Sequence, residues 1–331
     1  MKRVRYFDSL RFFAIFIVFV THFIADYHEE YFYLWTTFPT SLLLDGISGK
    51  LGVALFGVIL GYFAYLSKEE NGTAYILKRF SFFVIGGLII NSLYALVGVF
   101  LDGFPRYSVL RVLFESLTLN DNIFPTYWCI PAFFAASVIS YLNGKAQIKT
   151  FGILLEIAVF YKLGCIWIAI CLMGNLVARY QNNPSPDILK TRIIRVILWI
   201  VLFFAVKRPE NNITYMINGI CCMVMIMLIM RGSIVQRVLD NRVLSALGQR
   251  SMAIYILHPL CYSVMAPTLF KLFSFMQYDL RFAVTMLICF GAIVLASFPT
   301  MVFINMACRY VGKGILRVLH GLEMNCSISK R

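Results

Sequence analysis

About ten stretches of this chain are apolar enough, and nearly long enough, to cross a lipid bilayer: residues 9–26, 50–67, 80–101, 125–143, 148–163, 165–180, 193–206, 213–230, 251–270 and 282–308. A helical span needs about 20 largely apolar residues. Hydrocarbon offers no water to an open backbone, so such runs fold as helices. The chain is 60% hydrophobic and 14% charged over 331 residues, whereas a soluble domain carries about 25% charged residues. The expected fold is therefore all-α: a polytopic transmembrane helix bundle forming one membrane domain over residues 1–331. A basic tail begins at about 309, with no room for an appended soluble domain. The first run opens on Lys2, Arg3 and Arg5 but contains Arg11 and no small-residue cleavage site, so it reads as a retained first span.

Loop charge sets the expected orientation. One set of loops carries Lys2, Arg3 and Arg5, then Lys68, Lys78 and Arg79, then Lys145 and Lys149. It continues with Arg179 through Arg195, Arg231 through Arg250, and Arg309, Lys313 and Arg317. The opposite set holds Asp26, Glu29, Glu30, Asp45, Asp102, Asp121, Glu210 and Asp279, with fewer cations (Arg106, Arg111, Lys207, Arg208, Lys271, Arg281). Cytoplasmic loops are enriched in Lys and Arg, so both termini are expected on the cytoplasmic side of a cell membrane. The longest outer loops, about 27–49 and 102–124, are rich in aromatic residues. They read equally as caps over an outer site and as an interfacial aromatic belt.

The net charge of +14 is spread over these short loops rather than gathered on one face, which excludes nucleic acid as a partner. Of nine cysteines, Cys165, Cys171, Cys221, Cys222, Cys261 and Cys289 fall inside apolar runs. There they act as small hydrophobes, and neither a disulfide framework nor a zinc site is expected.

Ionisable residues inside spans are costly and face a bundle interior or a wet cavity. The first span carries Asp8, Arg11 and His22. Arg11 and His22 are eleven residues apart, about three turns, so they share a face at roughly 16 Å. Asp8 is placed to pair with Arg11. Arg11 could instead snorkel to headgroups, and His22 could be interfacial. The ninth span carries Tyr255 and His258, three apart on one face. A metal held by His22 and His258 lacks further ligands at suitable spacing. Glu156 is either a proton site or paired within the bundle. Asn91, Asn175 and Asn218 read as interhelical hydrogen-bonding residues.

Taken in order, these segments resemble the acyltransferase-3 family of integral membrane acyltransferases. The resemblance rests on Asp8, Leu10, Arg11 and His22 at the start. It continues over Gly52, Val53, Leu55, Phe56, Val58, Gly61 and Tyr62, and over Leu247, Gly248, Ser251, Ile254, Tyr255 and His258. Three features depart from the family pattern, one of them the absence of the Pro that often follows the basic pair of the third span. Lys78 and Arg79 supply the basic start of the third span, but Phe82 stands where a second Arg is usual. Tyr127-Trp128 matches the fourth-span Trp segment only loosely.

The resemblance implies transfer of an acyl group, commonly acetyl, from cytoplasmic acyl-CoA (acetyl-CoA) to a hydroxyl of a cell-envelope glycan or lipid-linked sugar, with no metal. His22, with Arg11, would be catalytic, the imidazole acting as base or relay. Asp8, Tyr255 and His258 would support it. Arg11, Lys78 and Arg79 would bind the coenzyme A phosphates. Membrane lipids surround the chain, and a homo-oligomer is left open. A transporter or flippase of an envelope lipid or glycan is the alternative, with the same charges lining a path.

Overall fold

The computed structural model describes residues 4–27, 49–102, 107–119, 129–182, 211–230 and 234–328, and these residues are helical with short turns. The helices are α1 (Arg5–Tyr27), α2 (Gly49–Tyr65), α3 (Gly72–Asp102), α4 (Val109–Leu117), α5 (Ile130–Lys145), α6 (Thr150–Lys162) and α7 (Ile166–Asn182). After them come α8 (Asn212–Met230), α9 (Ile234–Leu239), α10 (Arg242–Gly248), α11 (Ser251–Leu260), a π-helical turn (Cys261–Met265), α12 (Ala266–Leu272) and α13 (Tyr278–Ile328).

A helix stands at nine of the ten expected positions. The run 193–206, most of the loop 27–49 and Tyr127-Trp128 lie outside the described residues. Among the described residues, four helices are long and apolar enough to cross a membrane: Arg5–Phe23, Gly72–Gly98, Asn212–Met230 and Leu280–Val311. Lys50–Tyr65, Ile166–Gln181 and Ser251–Leu260 are apolar but shorter. The chain from 309 to 328, expected as a basic tail, is helical and continues α13. The expected outer loop 102–124 contains α4, capped by Ser108, whose hydroxyl accepts from the Arg111 amide. Leu110, Leu113, Phe114 and Leu117 are exposed on α4, a pattern suited to lying at a lipid surface.

Helix α1 is the axis of the bundle. Tyr6, Phe7, Leu10 and Ala14 join a buried cluster with α2, α7 and α8. Ile15, Val18, Phe19 and Phe23 join a second with α3, α5, α11 and α13. Close approach fixes the α2–α7 crossing. A Cβ on Gly61 would sit 1.8 Å from the Cys171 carbonyl oxygen, and one on Gly174 2.1 Å from that of Val58. Apolar side chains gain little by leaving lipid, so backbone contact through small residues holds such helices together.

Some polar groups within the bundle are paired, whereas both side-chain polar atoms of Asn175 and the side-chain oxygen of Asn218 have no partner among the described residues. The Asn143 amide donates to the Glu156 carboxyl at 2.6 Å, so Glu156 is paired within the bundle. Asn91 donates to the Ser116 hydroxyl at 2.9 Å.

Candidate functional site

The site is built where the chain returns to α1 through α10 and α11. Asn241 caps α10, its side-chain oxygen accepting from the amides of Val243 and Leu244. The cap brings Gly248 against Asp8, where an added Cβ would lie 1.6 Å from the Asp8 carbonyl oxygen. Only a residue without a side chain fits this contact. The neighbouring Ser245 hydroxyl donates to the second Asp8 carboxylate oxygen at 3.3 Å. Asp8 is buried and its other oxygen accepts from Arg11 Nη1 at 3.2 Å. The Arg11 guanidinium also lies over the Phe63 ring, 4.9 Å from its centroid. The i, i+3 pairing expected from sequence is therefore present, and α10 fixes it from outside α1.

Helices α10 and α11 together follow α1 in the same direction. Gly248 meets Asp8 at one end, and ten residues later the rings of His258 and His22 lie 5.5 Å apart between centroids. Pro259 follows His258 within the helix. A proline has no amide hydrogen to offer the carbonyl four residues back, which here belongs to Tyr255. That carbonyl oxygen instead faces His258 Nδ1 at 2.6 Å. A carbonyl can only accept, so Nδ1 carries the hydrogen and the lone pair of the neutral ring is on Nε2. The His-Pro dipeptide thus sets the histidine tautomer through the backbone bond that the proline removes. His258 is fully buried, and the Tyr255 and His258 rings lie 5.4 Å apart.

A cavity of about 240 Å³ opens between these elements, with Arg11, Arg79, Gln249 and Ser251 among its lining residues. Val53, Phe56 and Leu60 form one stripe of α2 along it, and Phe82, Phe83, Phe133 and Met252 add to the apolar walls. Tyr255 lies in the wall beside Cys129, whose sulfur is 3.4 Å from the tyrosine oxygen. Arg79 is supported by aromatic stacking: its guanidinium lies over the Tyr75 ring at 5.4 Å, and Tyr75 stacks on Tyr141 at 4.1 Å.

The structure thus gathers most of the residues singled out from sequence. Arg11, Arg79 and Tyr255 line the cavity, Asp8 holds Arg11, and His22 and His258 meet one helical turn beyond Tyr255. Lys78 is exposed and does not line the cavity. Phe82, at the position of the missing second Arg, does line it and makes that wall apolar. Sequence reasoning did not find Ser245, Phe63, Cys129 or Gln249. The first three depend on contacts between distant segments and leave no local signal. Among the described residues no group of three or more His, Cys, Asp or Glu side chains converges as a metal site would require.

Two guanidinium groups in an otherwise apolar lining suit an anionic, partly apolar molecule, and the two imidazoles lie near each other outside that lining. A family model described as "Acyltransferase domain" (Acyl_transf_3) matches residues 4–302. No curated protein matches the chain, and no solved structure does. The family match takes in both ends of the site, from Asp8 and Arg11 to Tyr255 and His258, so this integral membrane protein belongs to the acyltransferase-3 family.

Proposed function

We propose that the chain transfers an acyl group, most simply acetyl, from cytoplasmic acyl-CoA to a hydroxyl of a cell-envelope glycan or lipid-linked sugar. In this reading it is one multi-pass domain of about ten spans in the cell membrane, with both termini cytoplasmic. The observation that carries the proposal is the cavity, with two guanidinium groups in its lining, an apolar wall and the histidine pair beyond Tyr255.

Arg11 and Arg79 would hold the coenzyme A phosphates through charge-assisted hydrogen bonds. The apolar stripe Val53, Phe56 and Leu60 would carry the pantetheine arm. Arg11 and His22 are separated by roughly 16 Å along α1, a length that an extended arm spans. At the imidazole end the acceptor hydroxyl attacks the thioester carbonyl. A C–O bond forms, the C–S bond breaks, and the hydroxyl proton passes to His22 and then to the departing thiolate. His258, with Nδ1–H committed to the Tyr255 carbonyl, would offer Nε2 as an acceptor that keeps His22 in its basic form.

The test is release of coenzyme A thiol from acetyl-CoA by the purified protein in lipid, with and without a membrane glycan extract. His22→Ala is expected to abolish extract-dependent release while leaving the thermal unfolding midpoint close to wild type. Undiminished release by a well-folded His22→Ala protein would remove His22 from the mechanism. Absence of release by wild type across several acyl donors would favour the transporter.

A further inference from the structure

We infer that Arg281 and Thr285 form an oxyanion subsite beside the histidine pair, and that its occupant is the phosphate group of a membrane-soluble acceptor. Arg281 and Thr285 are four residues apart, so they share one face of the first turns of α13. Thr285 is fully buried. Among the described residues, neither its hydroxyl oxygen nor Arg281 Nε, which is itself buried, has a hydrogen-bond partner.

Several other helical hydroxyls in this chain return to the backbone, although Ser140 Oγ, like Thr285, has no partner among the described residues. Thr21 donates to the Ile17 carbonyl, Thr268 to that of Val264, Ser297 to that of Val294 and Thr300 to that of Ala296. A buried hydroxyl left without a partner is costly, and this return to the backbone is the ordinary remedy in a helix. Thr285 does not take it. Two donors, one of them cationic, are therefore held ready on one face, which suits a tetrahedral oxyanion. The Arg281 guanidinium is held in place over the Phe270 ring at 4.7 Å.

The location ties this subsite to the proposed chemistry. The rings of Phe282 and Phe23 meet at 5.1 Å, and Phe290 meets both Phe16 and Phe19 at 5.1 Å. Helix α13 thus runs opposite to α1, and Thr285 lies level with the stretch of α1 between Phe19 and Phe23, which holds His22. The same helix exposes Leu280 and Leu287, against which a long apolar tail can lie. A phosphate carried on such a tail would place the group attached to it near the imidazoles. The assignment of that group as acyl acceptor rests on the function proposed above, but the binding itself needs no turnover.

The experiment is equilibrium binding of radiolabelled polyprenyl phosphate, as a long-chain monophosphate probe, to the full chain in phosphatidylcholine nanodiscs without acyl donor. Wild type is expected to bind saturably. Arg281→Gln should weaken binding at least tenfold, and Thr285→Val about three- to tenfold. Arg281→Lys and Thr285→Ser should recover part of the loss. Thr300→Val, whose hydroxyl is already bonded to the backbone, should bind as wild type does, and each variant is to be compared at a matched unfolding midpoint. Unchanged affinity in both Arg281→Gln and Thr285→Val would mean that water satisfies these groups, and would overturn the inference. Equal competition by neutral polyprenol would overturn recognition of an oxyanion. Equal competition by phosphatidylglycerol or by inorganic phosphate would show a bulk-lipid or free-phosphate site, and would overturn the acceptor assignment. A chain that binds the probe in this way yet releases no thiol would sink the proposed acyl transfer and leave the subsite standing.

Discussion

Gly248→Ala is the most informative single change that the structure offers. The new Cβ would fall 1.6 Å from the Asp8 carbonyl oxygen and 2.4 Å from its carbon. The obstacle is backbone, so no rotamer change relieves it. Restoring a contact of about 3.4 Å requires α10 and α1 to part by about 1.8 Å. Overpacking of this kind costs about 1–3 kcal/mol, and the bundle can tolerate that loss. Function should suffer more, because Asp8 is held by Ser245 on α10 and in turn holds Arg11. A misplacement of about 1 Å can cost roughly 100-fold in rate. The expected result is a modest fall in the unfolding midpoint and a fall of about 100-fold in thiol release per mole of folded protein. Gly291→Ala is the control: its Cβ would meet nothing within 4 Å, and replacing a mid-helix glycine gains about 0.5–1 kcal/mol. If Gly248→Ala stays within twofold of wild type in rate and unchanged in midpoint, the reasoning that the α1–α10 contact sets the site is wrong.

Two further predictions use the same preparations. Arg79→Leu should raise KM for acetyl-CoA about 10- to 100-fold, the range of one strong charge-assisted contact, whereas Lys78→Leu should change it less than twofold because Lys78 lies outside the cavity. A KM equally raised by both would place the donor elsewhere. Asn143→Leu removes the 2.6 Å bond to Glu156 and should cost about 1–2 kcal/mol of stability in a membrane bundle. That loss, read from detergent unfolding, should shrink when Glu156→Leu is added, which removes the acceptor, and an additive double mutant would show that the pair does not interact.

Much of the fold is legible in the sequence because a membrane permits few alternatives. Apolar runs must become helices, and the ends of α1, α2, α7 and α8 fall within a few residues of the run boundaries. The candidate site was legible where residues share one helix: Asp8 with Arg11, and Tyr255 with His258. It was illegible where the site depends on which helices touch. No periodicity reveals that Ser245 reaches Asp8 across 237 positions, or that Cys129 meets Tyr255 across 126. Lys78 shows the limit of reading a basic pair from sequence. Adjacent to Arg79 and equally basic, it falls on the exposed side of α3, because neighbours in a helix point about 100° apart. The seemingly missing cation at Phe82 has a physical reading as well: that position faces the cavity as an apolar wall.

The course of α10 and α11 along α1 brings two motifs distant in sequence to one candidate site. Gly248 of α10 meets Asp8 at one end of α1, and His258 of α11 meets His22 at the other. The cationic end and the imidazole end are therefore both carried by α1, and α10, the turn at Gln249-Arg250 and α11 follow it from one end to the other. A change along this seam should disturb both ends together. A change at the α2–α7 crossing, where Gly61 and Gly174 lie against backbone, should lower stability while leaving the ratio of donor affinity to turnover intact. The Pro259 break fits the same logic. By removing one backbone bond it releases the Tyr255 carbonyl to orient His258, so a local loss of helix stability is converted into a fixed tautomer at the end of the seam where proton transfer is proposed.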